Sequence, residues 1–477
     1  MVEEMQKGYP RVRNNYQVHL WDTAGRNHGV LFFADNGKEE SIFHDIAVAL
    51  RLMTGQREFS QVVAALAETI GLEYPDAEIA IDAIIEQFVS EGVVEVSLSP
   101  LTPRHFSTPL KSSYRLRIIQ LQLTNKCNMS CAHCYAESGR SLPHEITTNT
   151  VFELIDEFVD LGGSRLFLTG GEALLYKNLN AVISYAKKRH LFVYLSTNGF
   201  SLTEERADQL VKLGVGAVNV SIDGDNDETH DRFRGRRGAF KKALRSLKLF
   251  SERGIPCGSQ TTLFKDNLTQ SENIFNAMHS LGVSPCSFTR MAPQGRGKVN
   301  TDLIPTLEQY RLARENEYLN RRLKYGMNVF SKQSRQGANG KRCSAGSSQM
   351  YVRADGRCFP CPSLEMQEFY LGNYPEASLS EIWNTRRASI DELRRFEPKE
   401  MSKCKGCEHN EVCKGGCFGN AHYVTGDWRN PDPHFCITMD IRQRVQRLTP
   451  ETAIREKYRV SKIIGEKREK GTDLFYP

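Results

Sequence analysis

The sequence contains no run of 18 consecutive apolar residues, which excludes a conventional membrane-spanning helix. Its first ten residues, M-V-E-E-M-Q-K-G-Y-P, lack the apolar core of a secretory signal. A cytoplasmic protein without membrane association is expected. Between Arg57 and Arg104 there is no Lys or Arg, while nine Asp and Glu fall there. A segment without cations cannot neutralise phosphates, so no nucleic-acid partner is expected for it. What the chain does have is thirteen cysteines in 477 residues. In a cytosolic chain these read as metal ligands and not as disulfides.

Three of the thiols, Cys127, Cys131 and Cys134, share one short loop, K-C-N-M-S-C-A-H-C-Y, after the apolar run that ends at Leu123. A [4Fe–4S] cluster has four irons and takes Cys thiolates. Three adjacent ligands leave one iron open unless a distant residue fills it, and an open iron can bind and activate a ligand. A zinc knuckle is the competing reading, but zinc sites show paired ligands, and the second pair would have to come from far away.

The C-x3-C-x2-C spacing followed by aromatic Tyr135 resembles the signature of the radical S-adenosylmethionine (SAM) enzymes. Thr169-Gly170-Gly171-Glu172, after the short strand 166–168, is similar to the family's Gly-Gly-Glu stretch, although Ala173 stands where the family usually has proline. Asn198, Ser221, Asp223 and the segment His230-Asp231-Arg232-Phe233-Arg234-Gly235 follow in the family's order. The resemblance implies that Cys127, Cys131 and Cys134 carry the catalytic cluster. It implies that Tyr135, Gly170, Gly171, Glu172, Asn198, Ser221, Asp223 and Arg234 bind SAM, with the Glu172 carboxylate pairing with an ammonium group. One electron from such a cluster cleaves SAM to a 5′-deoxyadenosyl radical.

Strands expected near 117–123, 165–169, 192–197, 217–222, 257–263 and 285–290 alternate with helical patterns, which implies βαβ units and a parallel sheet. The fold class expected is α/β, a partial (β/α)6 TIM-type barrel with its polar residues at the C-terminal strand ends. Cys257 and Cys286 read as buried strand residues.

A second constellation follows. Cys343, Gly356-x4-Cys361, Cys404-x2-Cys407-x5-Cys413-x3-Cys417 and Cys436 resemble the SPASM extension of radical SAM enzymes. That resemblance implies two auxiliary [4Fe–4S] clusters, hence three in all. One would be held by Cys343, Cys361 and Cys417, the other by Cys404, Cys407, Cys413 and Cys436. Fully ligated members have an eighth cysteine shortly before the position of Cys343, and none occurs here back to Cys286. The first auxiliary cluster is therefore open at one iron or closed by Cys358.

In the first hundred residues, 16–21 and 29–34 alternate like strands around an Asn36-Gly37 turn. Helical patterns follow at 41–53, 60–70 and 77–89, the third with Ile79, Ile81, Ile84, Ile85 and Phe88 as its apolar face. This winged-helix-like pattern resembles the PqqD-like recognition element, which binds the leader of a ribosomally made precursor peptide by strand addition.

The expected organisation is a leader-recognition domain at 1–97, a linker at 98–113, the barrel at 114–296, a bridging helix and loop at 297–342, a SPASM domain at 343–440 and a basic tail at 441–477. The tail carries ten Lys and Arg against five Asp and Glu and reads as a solvated helix face or as a patch for an acidic peptide. The resemblance implies a maturase that joins core Cys thiols to unactivated carbons as thioethers, as in sactipeptides and ranthipeptides. Its partners would be the precursor peptide and a flavodoxin- or ferredoxin-type electron donor. Carbon–carbon crosslinking or epimerisation is the alternative within the family. A non-catalytic, metal-stabilised peptide scaffold is the alternative outside it.

Overall fold

The structure, a computed structural model, describes residues 8–23, 26–104, 106, 114–326, 343–397, 400–401 and 403–469. Much of the expected linker and the loop of the bridging segment lie outside the described residues. Two compact units emerge. One is built from residues up to Ile118 with Asn149–Leu166 and Ser184–Val193, the other from Ile119–Thr148, Phe167–Ile183 and the chain from Tyr194 onward.

In the first unit, strand β1 (Tyr9–Val12) precedes the antiparallel sheet β2 (Tyr16–Thr23), β3 (Arg26–Phe33) and β4 (Glu39–Ile42), in the order β2-β3-β4. Helices His44–Leu52, Phe59–Ile70 and Tyr74–Ser90 follow, and β5 (Val94–Ser97) returns to pair antiparallel with β1. Reciprocal capping by Glu58 and Gln61 starts the second helix, and Gly71, at φ 72°, ends it. The helices close over one core that includes Leu50, Phe59, Val63, Ile81, Ile85 and Phe88. Burial of each such side chain contributes about 1.5–3 kcal/mol. The strands expected at 16–21 and 29–34 and the three helices are present, but β1 and β4 were not foreseen, and residues 41–42, expected to open the first helix, belong to β4. Ile79, expected on the apolar face of the third helix, is 69% exposed; the packed face is Ala77, Ile81, Ile85 and Phe88.

Glu39 of β4 fixes this sheet from beneath. Its carboxylate meets the guanidinium groups of Arg115, Arg117 and Arg165 and accepts from Ser164 Oγ at 2.9 Å. Burial alone would push its pKa up, yet the three arginines and Ser164 outweigh that and hold it at about 2.

The central sheet carries β6 (Ile118–Gln122), β7 (Arg165–Thr169), β8 (Phe192–Thr197), β9 (Ala217–Ser221), β10 (Cys257–Leu263) and β11 (Cys286–Arg290), in unbroken spatial order. The pairings β8–β9, β9–β10 and β10–β11 are parallel, as in a partial (β/α)6 barrel. The run does not end at β6. Strands β12 (Gln349–Val352), β13 (Arg357–Phe359) and β14 (Gly372–Asn373) continue the same sheet, the last three antiparallel to one another. The boundary expected at 440 falls inside the helix Pro433–Arg447. That helix and Pro450–Glu469 pack on Leu307–Tyr325 through Ile441, Val445, Ala453, Val460 and Leu319. The basic segment is therefore held by an apolar seam and by Glu315, which pairs with Arg444 and Arg459. Among the described residues no helix is long and apolar enough to cross a membrane.

Candidate active site

The loop after β6 carries Cys127, Cys131 and Cys134, and the ends of three neighbouring strands shape it. Gly171 N donates to Thr124 O at 2.7 Å, and Glu172 N donates to Lys126 O at 2.9 Å. A Cβ on Gly171 would lie 2.5 Å from Lys126 O, so only glycine lets the turn after β7 lie against the cysteine loop. On the far side, Ser130 N and Ala132 N donate to Arg234 O and Phe233 O. Asn226 caps the helix Asp227–Arg234, and Gly235, at φ 62°, ends it.

Glu172 lies in the turn after β7. It is 1% exposed, and its carboxylate accepts from Thr197 Oγ1 at 2.6 Å, Leu174 N at 2.9 Å and Asn198 N at 2.7 Å. Burial raises its pKa, and these donors oppose the rise. The carboxylate ties the turns after β7 and β8 together. Asp223 is likewise enclosed, ion-paired to Arg234 Nε at 2.6 Å, and Arg234 NH1 reaches Cys131 Sγ at 3.8 Å. Asn198 Nδ2 lies 4.0 Å from Cys127 Sγ. Ser221, at the end of β9, is partly buried. The Tyr135 ring packs edge-on against Tyr351 of β12, and burial pushes its phenol up to about 12.

Several residues that hold this loop carry no motif. Glu145 accepts from Asn125 N at 2.7 Å and Thr124 Oγ1 at 2.9 Å. Arg296 donates through its backbone N to Cys134 O at 3.0 Å and through Nε to Cys131 O at 2.7 Å. A Cβ on Gly295, at φ 53°, would lie 2.3 Å from Cys134 O. Gln122 Oε1 accepts from Tyr351 OH and Ala354 N, both at 3.2 Å. The signals available were the Gln294-Gly295-Arg296-Gly297 turn after β11 and the two glutamines, Gln120 and Gln122, in β6.

Cys257 in β10 is buried as expected, Cys286 in β11 only partly so, and seven of the other thiols fall into two sets of neighbours. Cys361 feels Cys343 and Cys417, and Cys413 feels Cys436, Cys404 and Cys407. Cys358 joins neither. It is fully buried in β13, its Sγ donates to Gly356 O at 3.3 Å, and the charge beside it is Asp355.

Residues 121–277 match the radical SAM superfamily, and residues 343–408 match the SPASM iron-sulfur cluster-binding domain. The AdoMet-dependent heme synthase of Methanosarcina barkeri is 32% identical over 343 residues, 67% of this chain and 96% of that protein. The chain belongs to the radical SAM superfamily. The mycofactocin maturase MftC of Mycolicibacterium smegmatis is 29% identical over 66% of this chain and 81% of its own. In fold, the chain is similar to Streptococcus suis SuiB bound to the precursor peptide SuiA. The TM-score is 0.62 at 15% identity, over 90% of this chain and 99% of that one.

The SAM-family loop is suited to an iron-sulfur cluster. Its three thiols cluster with Met129, Ala239 and Phe200, and each sulfur has a donor nearby. Ser138 N points at Cys134 Sγ at 3.4 Å, alongside the contacts of Arg234 and Asn198. Apolar enclosure with N–H groups aimed at sulfur is the environment thiolate-bound clusters use. Beside this radical SAM loop lies a cavity of about 820 Å³ whose lining includes His133, Tyr135, Arg290, Met291, Cys417 and His434. It reaches from the cysteine loop to one thiol of the Cys343/Cys361/Cys417 set.

Proposed function

We propose that this radical SAM enzyme is a peptide maturase that forms thioether crosslinks in a ribosomally made precursor. The observation that carries the reading is the single cavity bordered at one end by Tyr135 of the cysteine loop and at the other by Cys417. A reacting C–H and a peptide thiol held in one enclosure gain the effective concentration that such a coupling requires. The likeness to SuiB supports a peptide substrate. The uncovered tenth of this chain is smaller than its 97-residue N-terminal segment, so that fold likeness reaches into the segment.

Residues 1–97 are read as a PqqD-like element whose sheet edge pairs with the precursor leader. Gly170, Gly171, Asn198, Ser221, Asp223 and Arg234 would shape the SAM site, with Glu172 holding its turns in place. Cys127, Cys131 and Cys134 would hold the SAM-binding [4Fe–4S] cluster, which supplies one-electron reductive cleavage of SAM when bound. Cys404, Cys407, Cys413 and Cys436 would hold a second cluster. Cys343, Cys361 and Cys417 would hold a third, and the isolation of Cys358 supports an open iron there. Each crosslink removes two hydrogens from the peptide. One leaves with 5′-deoxyadenosine and the other as the thiol proton. The surplus electron goes to a flavodoxin- or ferredoxin-type carrier, which would also supply the electron for SAM cleavage. The protein is placed in the cytoplasm, where thiols stay reduced.

The identity with heme synthases favours a second reading, modification of a tetrapyrrole. Anaerobically reconstituted protein given SAM and reductant decides between them. A leader-bearing, Cys-containing peptide that binds and loses two hydrogens per crosslink supports the maturase. Binding of an iron porphyrin with no affinity for any leader-bearing peptide supports the other. Loss of hydrogens from a peptide lacking cysteine would indicate carbon–carbon crosslinking instead.

A further inference from the structure

Arg290 ends β11 and lines the cavity. Its NH1 donates to His434 Nδ1 at 3.2 Å, so the ring nitrogen facing it is the acceptor and Nε2 carries the proton. Both Arg290 Nε and His434 Nε2 are buried with no hydrogen-bond partner among the described residues. The Asp432 carboxylate, with Oδ1 3.8 Å from His434 Nδ1, is held by other donors. Its Oδ1 accepts from His434 N at 3.0 Å and Phe435 N at 3.3 Å, and its Oδ2 accepts from Cys417 N at 3.3 Å. Arg314 and Arg321 line the same cavity, but both pair with the buried Glu317.

Arg290 is thus a largely enclosed cation with no ion pair among the described residues. A guanidinium does not lose its proton at neutral pH, and buried donors left unpaired are costly. The unpaired Nε–H of the Arg290 guanidinium suits an anionic oxygen acceptor. Arg290 offers one positive charge beside the Asp432 carboxylate, so a single-charge carboxylate fits better than a phosphate dianion.

We propose that Arg290, held through NH1 by His434, forms a carboxylate-binding subsite that takes an Asp or Glu side chain of the substrate segment lying in the cavity. The subsite rests on the peptide reading above and makes an acidic residue near the modified position a specificity requirement. An apolar core segment would instead leave the Arg290 Nε–H unpaired.

The test uses the reconstituted full-length enzyme saturated with SAM, with glutarate as a carboxylate probe and glutaramide as its neutral counterpart, followed by calorimetry. Glutarate should bind and glutaramide should not. Arg290→Gln should weaken glutarate by about tenfold or more, while Arg290→Lys retains part of the affinity because charge persists without the fork. Iron content and thermal unfolding identify variants that have folded, and His434→Phe, which removes the acceptor that holds Arg290 NH1 and should also weaken glutarate, is the second variant should Arg290→Gln fail to fold. Equal binding of glutaramide, glutarate binding that survives Arg290→Gln, or abolition of binding by SAM would overturn the subsite. The last result would assign Arg290 to the carboxylate of SAM. If no leader-bearing peptide is captured while Arg290-dependent glutarate binding persists, the peptide reading fails and the subsite stands.

Discussion

The backbone N–H of Asn198 donates to the buried carboxylate of Glu172 at 2.7 Å, joining the turn after β8 to the Gly-Gly-Glu turn after β7. Thr197 and Leu174 complete the set, so both turns keep one geometry around a single carboxylate.

Glu172→Gln turns an amide NH2 toward donors that need an acceptor. Such an unpaired buried donor costs about 1–3 kcal/mol. The variant is expected to bind SAM at least about fivefold more weakly while retaining its iron. Equilibrium dialysis with labelled SAM, beside an iron assay, measures both. Unchanged SAM affinity would mean that the turns do not depend on the carboxylate.

Gly171→Ala should be more severe, because the added methyl meets backbone and not a movable side chain. The cysteine loop must shift, and the expected outcome is loss of about four irons per chain after reconstitution, one cluster's worth. Gly139→Ala is the control, since nothing lies within 4 Å of its Cβ position.

The Glu39 clamp predicts a pH dependence confined to acid. Its folded pKa of about 2 lies below the ordinary 4.5. Its contribution is therefore full above the unfolded value and is lost as pH falls from there toward 2. Glu39→Gln should lower stability near neutral pH by about 3 kcal/mol, since it leaves three arginines around a neutral group. The gap between wild type and variant, followed by chemical denaturation, should narrow steadily below pH 4.5. A constant gap would contradict the linkage.

Cys358→Ala should leave the iron content at about twelve per chain, whereas Cys361→Ala should lower it by about four. Equal losses would make Cys358 a ligand and close the first auxiliary cluster.

How much of this was legible in the sequence depends on how far apart the partners lie. The three-thiol loop, the glycines after β7 and the strand-helix alternation read directly, because short spacing and strand-end position encode them. Nothing in the sequence shows that Thr197 and Asn198 reach the oxygens of Glu172. Gln122 with Tyr351 and Cys131 with Arg296 were invisible because each pair joins segments more than a hundred residues apart. The continuation of the sheet from β6 into β12 was missed for the same reason. The basic C-terminal segment was read by charge, whereas its buried Ile441, Val445, Ala453 and Val460 decide its place.

The most direct test of the maturase reading is mass spectrometry of 5′-deoxyadenosine and peptide from one anaerobic reaction. It contains the reconstituted enzyme, SAM, reductant and a leader-bearing, Cys-containing peptide, with the Cys127→Ala/Cys131→Ala/Cys134→Ala variant in parallel. The account predicts 5′-deoxyadenosine and a peptide short of two hydrogens per crosslink with the wild-type enzyme. With the variant it predicts neither product, although leader binding is retained. Peptide modification at the wild-type rate by the variant would contradict it.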